Sequence, residues 1–520
     1  MTDYDYIVLG AGSAGCAVAG RLSEDPGVRV ALVEAGPPAA GRLFEIPALF
    51  SRQMKTAYDW DFETEPEPGL GGRRAYLPRG RAIGGTSSMN TMLYVRGHRH
   101  DYDTWEQLGN KGWGYADVLP YFKKSEDNQR GADEFHGIGG PLTVSDPVFV
   151  HPLLAAWVEA AQNAGHAFNP DFNGAEQDGV GYYQVTQRDG LRCSSAVAFL
   201  AERPNLTVLT STLALRLRFD GTRASGVDVD HLGTVRTLRA SREIVVSLGA
   251  YNSPHLLLQS GVGPAGELRA AGVEPLHDLP DVGRNLQDHA GCFLSFSSRA
   301  EPVPGPDTSA EERRLREHGD GPMAWTEVGG FLRSGDGLPA PDLQVHAALG
   351  IVRDQGLTAS AEPGMSFGPY VARPASRGSV RLRHNHPYAK PRIVHNYLDD
   401  ADDRQRLREG VRMCMRIARE TRLTGMLDAD LAGAAAAGLA PASDRDHDID
   451  EFIRTQSFSF YHPSGTCVLG KVVDEKLRVR GLDNVRVADT SVMPTLVTGN
   501  TNAPAIMIGE RAADFLRGDA

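Results

Sequence analysis

Residues 5–36 read DYIVLGAGSAGCAVAGRLSEDPGVRVALVEAG. The order of residue types in this stretch decides the fold. Tyr6 to Leu9 has the apolar run of a buried strand, and Gly10-Ala11-Gly12-Ser13-Ala14-Gly15 has the composition of a turn. A helix is expected from Cys16 to Ser23, with small residues facing a sheet. A second strand is expected from Val28 to Val33, ended by Glu34. Each part has a physical role. Gly10 permits a tight turn, Gly12 lets the backbone approach a pyrophosphate, and Gly15 lets helix and strand pack closely. The helix start presents free N–H groups, Ser13 among them, and a positive dipole end to phosphate oxygens. Glu34 lies about 20 residues beyond the last glycine, where a carboxylate accepts hydrogen bonds from ribose hydroxyls. An acid there favours a ribose without a 2′-phosphate, so the expected ligand is FAD or NAD.

The chain's totals set the frame around this unit. At 520 residues it is long for one hydrophobic core, so two or more domains are expected. A formal charge of −12 argues against nucleic acid as a partner. Cys16, Cys193, Cys292, Cys414 and Cys467 show no paired spacing, so neither a zinc site nor a redox dithiol is expected. Sparse, odd cysteine usage fits a reducing cytoplasm. The N-terminus, MTDYDYIVLG, lacks the basic and apolar regions of a signal peptide. No window holds the ~18 uninterrupted apolar residues of a transmembrane segment.

A second glycine-rich stretch, PRGRAIGGTSSMNTMLYVRG at 78–97, offers backbone N–H groups and hydroxyls to a second polar ligand surface. It resembles the first signature of the glucose–methanol–choline (GMC) family of flavin oxidoreductases. Gly80, Arg81, Ile83, Gly84, Gly85, Thr86, Ser87, Met89, Asn90, Tyr94 and Gly97 fall on that pattern. GAYNSPHLLLQSGVG at 249–263, VGRNLQDH at 282–289, YHPSGT at 461–466 and NTNAP at 500–504 resemble further family blocks, so the likeness runs from residue 4 to about residue 516. The resemblance implies FAD. It implies that the Gly84–Gly85 loop and the segment Asn90, Thr91, Met92, Leu93 contact pyrophosphate and flavin. Ala214 would lie near the adenine through its backbone, and Arg81 belongs to the same cofactor block. Some members bond FAD covalently through a histidine at the Met89 position. Methionine cannot do this, so non-covalent FAD is implied here.

The fold class implied is α/β: a Rossmann-type FAD-binding domain with an inserted α+β substrate domain built on an antiparallel sheet. The expected division is 1–290 for the N-terminal part of the FAD-binding domain, 291–445 for the substrate-binding domain, and 446–520 for the return to cofactor and active site. Parts of 150–190 are candidates to join the middle domain. Within it, APDLQVHAAL, MSFGPYVARP, RGSVRLRH and KPRIVHNYL read as alternating strands, and DDRQRLREGVRMCMRIARET as an amphipathic helix. ADLAGAAAAGLAPA is open between helix and loop. The charged stretch at 300–322 reads as a solvated loop, with a lid as the alternative. Ser253-Pro254 is expected to start one helix and Asn502 to cap another.

The chemistry implied is oxidation of a small-molecule alcohol to a carbonyl, with O2 or another electron acceptor reoxidising the flavin. An alcohol is too weak an acid to lose its proton unaided near pH 7, and histidine is the side chain matched to accept it. The resemblance puts that base at His462. It puts the substrate-orienting partner at Asn502, backbone contacts to the flavin at Asn500 and Thr501, and a ribityl or pyrophosphate contact at Asp489. Tyr461 is expected beside the flavin. His289 is expected to be a hydrogen-bonded structural histidine. Trp60 and Trp325 read as packing residues before cavity walls. The alternative class is a flavin protein without net redox chemistry, such as a hydroxynitrile lyase or a light-driven fatty-acid decarboxylase.

Overall fold

The structure is a computed structural model that describes residues 4–298, 309–358, 362–428 and 431–518. The opening unit forms strand Tyr4–Leu9, helix Ser13–Leu22 and strand Val30–Val33. The helix thus starts within the expected turn, three residues earlier than its sequence pattern suggested. Both strands are apolar runs buried on two faces, as a parallel sheet covered by helices requires. They lie in an all-parallel five-stranded sheet. Its order is Leu206–Leu209, Val30–Val33, Tyr4–Leu9, Ala240–Val246 and Val485–Val487. The last strand comes from the C-terminal part of the chain, and helix Asn502–Arg517 packs on helix Ser13–Leu22. A Cβ on Gly509 would stand 2.5 Å from the Ala14 carbonyl oxygen, so these helices approach backbone to backbone.

A second, antiparallel sheet has the order Phe458–Ser459, Ala290–Gly291, Gly364–Val371, Leu343–Leu349, Val328–Leu332 and Gly179–Tyr182, with Leu294–Ser297 also on Gly364–Val371. One strand therefore comes from inside 150–190 and another from the C-terminal part. Helices Pro152–Asn163 and Ala401–Ala418 cover it, with Trp157 against Phe367 at 6.1 Å between ring centroids. The sheet is stitched from three stretches of sequence.

Several local expectations are corrected. The segment 300–322 is not all loop. Residues 299–308 lie outside those described, but Ser309–His318 is a helix. Glu312 and Arg316 pair one turn apart, and Leu315 is buried beside Ile46, Leu49 and Met323. The helix at 249 begins at Gly249 and carries Pro254 inside it. In the C-terminal helix, Thr501 is the capping position and Asn502 is already helical. The alanine-rich stretch contains helix Leu431–Ala436. No described helix is long and apolar enough to cross a membrane.

The glycine turn leaves little room for side chains at two positions. Gly10 has φ +95°, and a Cβ there would meet the Ser247 carbonyl oxygen at 2.4 Å. A Cβ on Gly15 would stand 1.9 Å from the Gly10 carbonyl oxygen. Gly15→Ala is expected to destabilise the fold by at least ~1–3 kcal/mol, the scale of overpacking a close contact. Thermal and chemical denaturation check this; an unchanged midpoint would contradict the packing assigned to Gly15.

Candidate active site

One cavity of about 580 Å³ runs from the opening βαβ turn to the antiparallel sheet, a size ordinary for ligand sites. Gly10, Gly12, Ser13 and Glu34 line its first end. Gly85, Asn90, Thr91, Met92, Leu93, Ala214, Asp489, Asn500, Thr501, Asn502 and His462 also line it. Gly15, Arg81 and Gly84 do not. Gly15 and Gly84 act through packing. Gly84, at φ +89°, donates its N–H to Ala11. The Arg81 guanidinium lies 5.3 Å over the Trp60 ring.

The first end is a built site for a dinucleotide. Helices Ser13–Leu22 and Asn502–Arg517 both bring their N-termini to the cavity, tied by Ser13 Oγ donating to Asn502 Oδ1 at 2.7 Å. A Cβ on Gly12 would meet nothing within 4 Å, so the bare backbone faces open cavity there. Glu34 accepts from the Ala11 and Gly36 N–H groups at 3.0 and 2.8 Å. Burial nevertheless pushes its carboxyl up to about 7, against those donors and nearby Arg81. Hydroxyl donors from a ribose would stabilise its ionised form. The donor set thus fits FAD: an acid for the adenosine ribose, an open glycine and two helix starts for the pyrophosphate.

Two cofactor-side residues also have protein partners. The carboxylate of Asp489 accepts from the Gly249 N–H at 2.9 Å, the Ser253 hydroxyl at 2.5 Å and the Ser491 N–H at 2.8 Å. It ties the start of helix Gly249–Gln259 to the following turn, so its side chain is occupied by protein donors. Asn90 Oδ1 accepts from the Met92 N–H and from the buried Arg192 guanidinium at 2.9 Å. Burial away from any carboxylate brings Arg192 down to about 9.

At the other end, Asp288 draws two segments together. Its Oδ1 accepts from the N–H groups of His289 and His462 at 2.9 and 2.8 Å; its Oδ2 accepts from Ser459 and Tyr397 hydroxyls at 2.5 and 2.6 Å. Strand pairing of Ala290 with Ser459 fixes the same register. Tyr461, at φ +69°, turns the chain just before His462, and Arg79 donates to its carbonyl at 2.6 Å. The ring of His462 then meets two partners. Its Nδ1 lies 2.9 Å from His289 Nδ1, and its Nε2 lies 3.2 Å from Asn500 Nδ2.

These contacts distinguish Asn502 from Asn500, although both line the cavity. Asn502 stands on the first turn of its helix with its carbonyl held by Ser13. Asn500, two residues earlier and before the helix begins, is the amide that reaches His462.

The tautomers follow from the partners. The Ala372 carbonyl can only accept, so His289 Nε2, 2.9 Å away, carries a proton. Burial takes His289 down to about 3, so the ring is neutral and its Nδ1 is a lone pair. His462 Nδ1 must then donate to it, which leaves His462 Nε2 unprotonated. Burial first, then His289, His346 and Arg79, hold His462 well below the ordinary histidine range. The site therefore holds a neutral imidazole whose unprotonated Nε2 faces the Asn500 amide.

The wall around it is aromatic: Trp60, Phe62, Trp325, Phe458, Phe460 and Tyr461 all line the cavity. Trp60 and Trp325 are thus wall residues as well as packing residues. His346 also lines it, with Nδ1 2.8 Å from Glu327 Oε2. Among the described residues no cluster of potential metal ligands occurs.

Fold and site together define a dinucleotide-dependent oxidoreductase with a buried imidazole on its cavity wall. Residues 4–291 and 374–509 match the N-terminal and C-terminal patterns of GMC oxidoreductase. The chain belongs to the GMC oxidoreductase family, and its cofactor is FAD. Mitochondrial choline dehydrogenase of Homo sapiens is 40% identical over 543 residues, spanning 99% of this chain and 90% of that one. Alcohol dehydrogenase (acceptor) of Pseudomonas putida is 40% identical over 534 residues, spanning 99% and 95%. Among solved structures, pyridoxine 4-oxidase from Mesorbium loti superposes with TM-score 0.88 at 33% identity, covering 98% of both chains.

Removing the Glu34 carboxylate should weaken cofactor binding. Glu34→Ala is expected to lose FAD on gel filtration, with binding about tenfold weaker or more, the scale of a charge-assisted hydrogen bond. Equal retention by mutant and wild type, read as the flavin-to-protein absorbance ratio, would contradict the ribose assignment.

Proposed function

We propose that this enzyme oxidises a small-molecule alcohol to the corresponding carbonyl, with His462 as the general base and Asn500 as the donor to the substrate oxygen. FAD, when bound, supplies the hydride acceptor. The observation that carries the reading is the neutral His462 ring, whose Nε2 lone pair stands beside the Asn500 amide at the cavity wall. An alcohol oxygen within reach of both groups displaces their direct hydrogen bond, donates its proton to Nε2 and accepts from the Asn500 N–H. The amide donor stabilises the negative charge that grows on oxygen as its proton leaves. The Nδ1–H bond to His289 keeps the ring in the accepting tautomer.

The names of the relatives support an alcohol as the electron donor: choline, an alcohol, and pyridoxine each carry a hydroxyl. The aromatic wall supports an apolar body on the substrate. The start of helix Asn502–Arg517, with Asn502 and Ala505 on the cavity, provides a positive dipole end for negative charge on the cofactor side. Met89 lines the cavity and has no imidazole nitrogen to bond the flavin, which supports non-covalent FAD. In this reading 1–290 and 446–520 hold the cofactor, and 291–445 builds most of the substrate side.

His462→Ala should slow anaerobic flavin reduction by about 10²–10⁴-fold, the range for loss of a general base, while FAD stays bound. A panel of choline, benzyl alcohol, 1-octanol and glycerol supplies the reductant. Unaltered reduction would refute the role of His462. Because its folded pKa is depressed, His462 stays unprotonated as pH falls through 6.5. The acidic limb of the wild-type rate should therefore lie below the ordinary histidine value of ~6.5. A limb at or above that value would contradict the assignment. Acid precipitation should release all the flavin; flavin left on the denatured chain would contradict non-covalent binding.

A further inference from the structure

Gln344 lies in strand Leu343–Leu349, fully buried, and its side-chain amide makes three hydrogen bonds. Their directions are forced. The Val345 carbonyl can only accept, so the Tyr183 hydroxyl 2.8 Å away donates to it. Tyr183 oxygen then has only lone pairs for Gln344, which must present its NH2 group, at 3.2 Å. The remaining N–H of that group meets Asn500 Oδ1 at 3.1 Å. The other end of the amide, Gln344 Oε1, accepts from the Tyr370 hydroxyl. Asn500 therefore has its carbonyl turned to Gln344 and its NH2 turned to His462 Nε2.

Two chains of hydrogen bonds thus converge on one tautomer of His462. One starts at the Ala372 carbonyl and runs through His289; the other starts at the Val345 carbonyl and runs through Tyr183, Gln344 and Asn500. Tyr370 braces both, stacking on His289 at 4.5 Å while donating to Gln344. A reversed Asn500 amide would point its carbonyl at Nε2 and favour a proton there, which would disable the base.

We infer that Gln344 is a positioning residue: it sets the orientation of the Asn500 amide and so keeps the Nε2 lone pair of His462 available. The inference rests on the reading of His462 as the base. A glutamine that only filled the core would affect stability and leave the protonation of His462 alone.

The test uses the FAD-loaded enzyme labelled with ¹⁵N-imidazole histidine, with His462→Ala to assign the His462 signals. Wild type at pH 7 is expected to show Nδ1 protonated and Nε2 bare. In Gln344→Glu the carboxylate has no N–H for Asn500 Oδ1 and attracts the Asn500 NH2 instead. Nε2 is then expected to become protonated at pH 7, and the acidic limb of flavin reduction to move to higher pH. The other groups facing this ring are His289, Asp288 at its backbone N–H, His346 with Glu327, Arg79 and the Tyr370 ring; all are unchanged in the variant. Gln344→Met, similar in length and without donors, is expected to keep FAD and to slow reduction by about tenfold, the worth of one lost hydrogen bond.

A Coulombic effect of the new carboxylate on His462 is separated by Asn500→Ala. If Gln344 acts through Asn500, Gln344→Glu adds no further pH shift in that background. The inference is overturned if Gln344→Glu leaves Nε2 bare at pH 7. It is also overturned if its shift persists without Asn500, or if Gln344→Met reduces as fast as wild type. Failure of the parent reading looks different: His462→Ala would then reduce flavin at the wild-type rate, while the nitrogen signals would still report on Gln344.

Discussion

The hydrogen bond between two buried imidazoles, His289 Nδ1 to His462 Nδ1 at 2.9 Å, is the constraint on which the site depends. Two imidazoles facing each other through the same kind of nitrogen cannot both donate and cannot both accept. The Ala372 carbonyl decides which does which. Burial keeps both rings neutral, because charging either in this setting costs more than the lost bond returns. The tautomer of His462 is therefore set by a backbone carbonyl on the far side of a second ring. Asp288, with its four donors, fixes the two backbones so that the rings meet at all.

The cofactor side is built on a different principle. There the chain offers backbone rather than side chains: the open face of Gly12, and the starts of two helices tied by Ser13 and Asn502. The helices come from opposite ends of the sequence, and their backbones nearly touch at Gly509 and Ala14. A site for a pyrophosphate-bearing ligand is thus closed only when the C-terminal segment returns. The same segment brings His462, Asn500 and Asn502 to the cavity.

The opening βαβ unit was legible because its logic is local: strand period, glycine spacing and a terminal acid all fall within 32 residues. The family blocks carried His462 and part of the cavity lining by the same kind of short-range pattern. The choice between Asn500 and Asn502 was not legible. Two asparagines in NTNAP differ only in which side of the helix start they occupy, and that depends on where the helix begins. The tie between His289 and His462 spans 173 positions, and that between Gln344 and Asn500 spans 156; no local pattern encodes either. A weaker signal was present. In APDLQVHAAL, Gln344 and His346 are two polar residues at strand spacing, so they share one face of an otherwise apolar strand. A polar pair on a buried face demands partners, and the structure supplies them at the cavity.

The direct test of this account is to locate the hydrogens. Neutron diffraction from a crystal of the deuterated, FAD-loaded enzyme at neutral pD would show them. The account predicts deuterium on His289 Nε2 and on His462 Nδ1, with none on His462 Nε2. Deuterium on His462 Nε2 would mean that the imidazole has no lone pair for a substrate proton, and would contradict the mechanism.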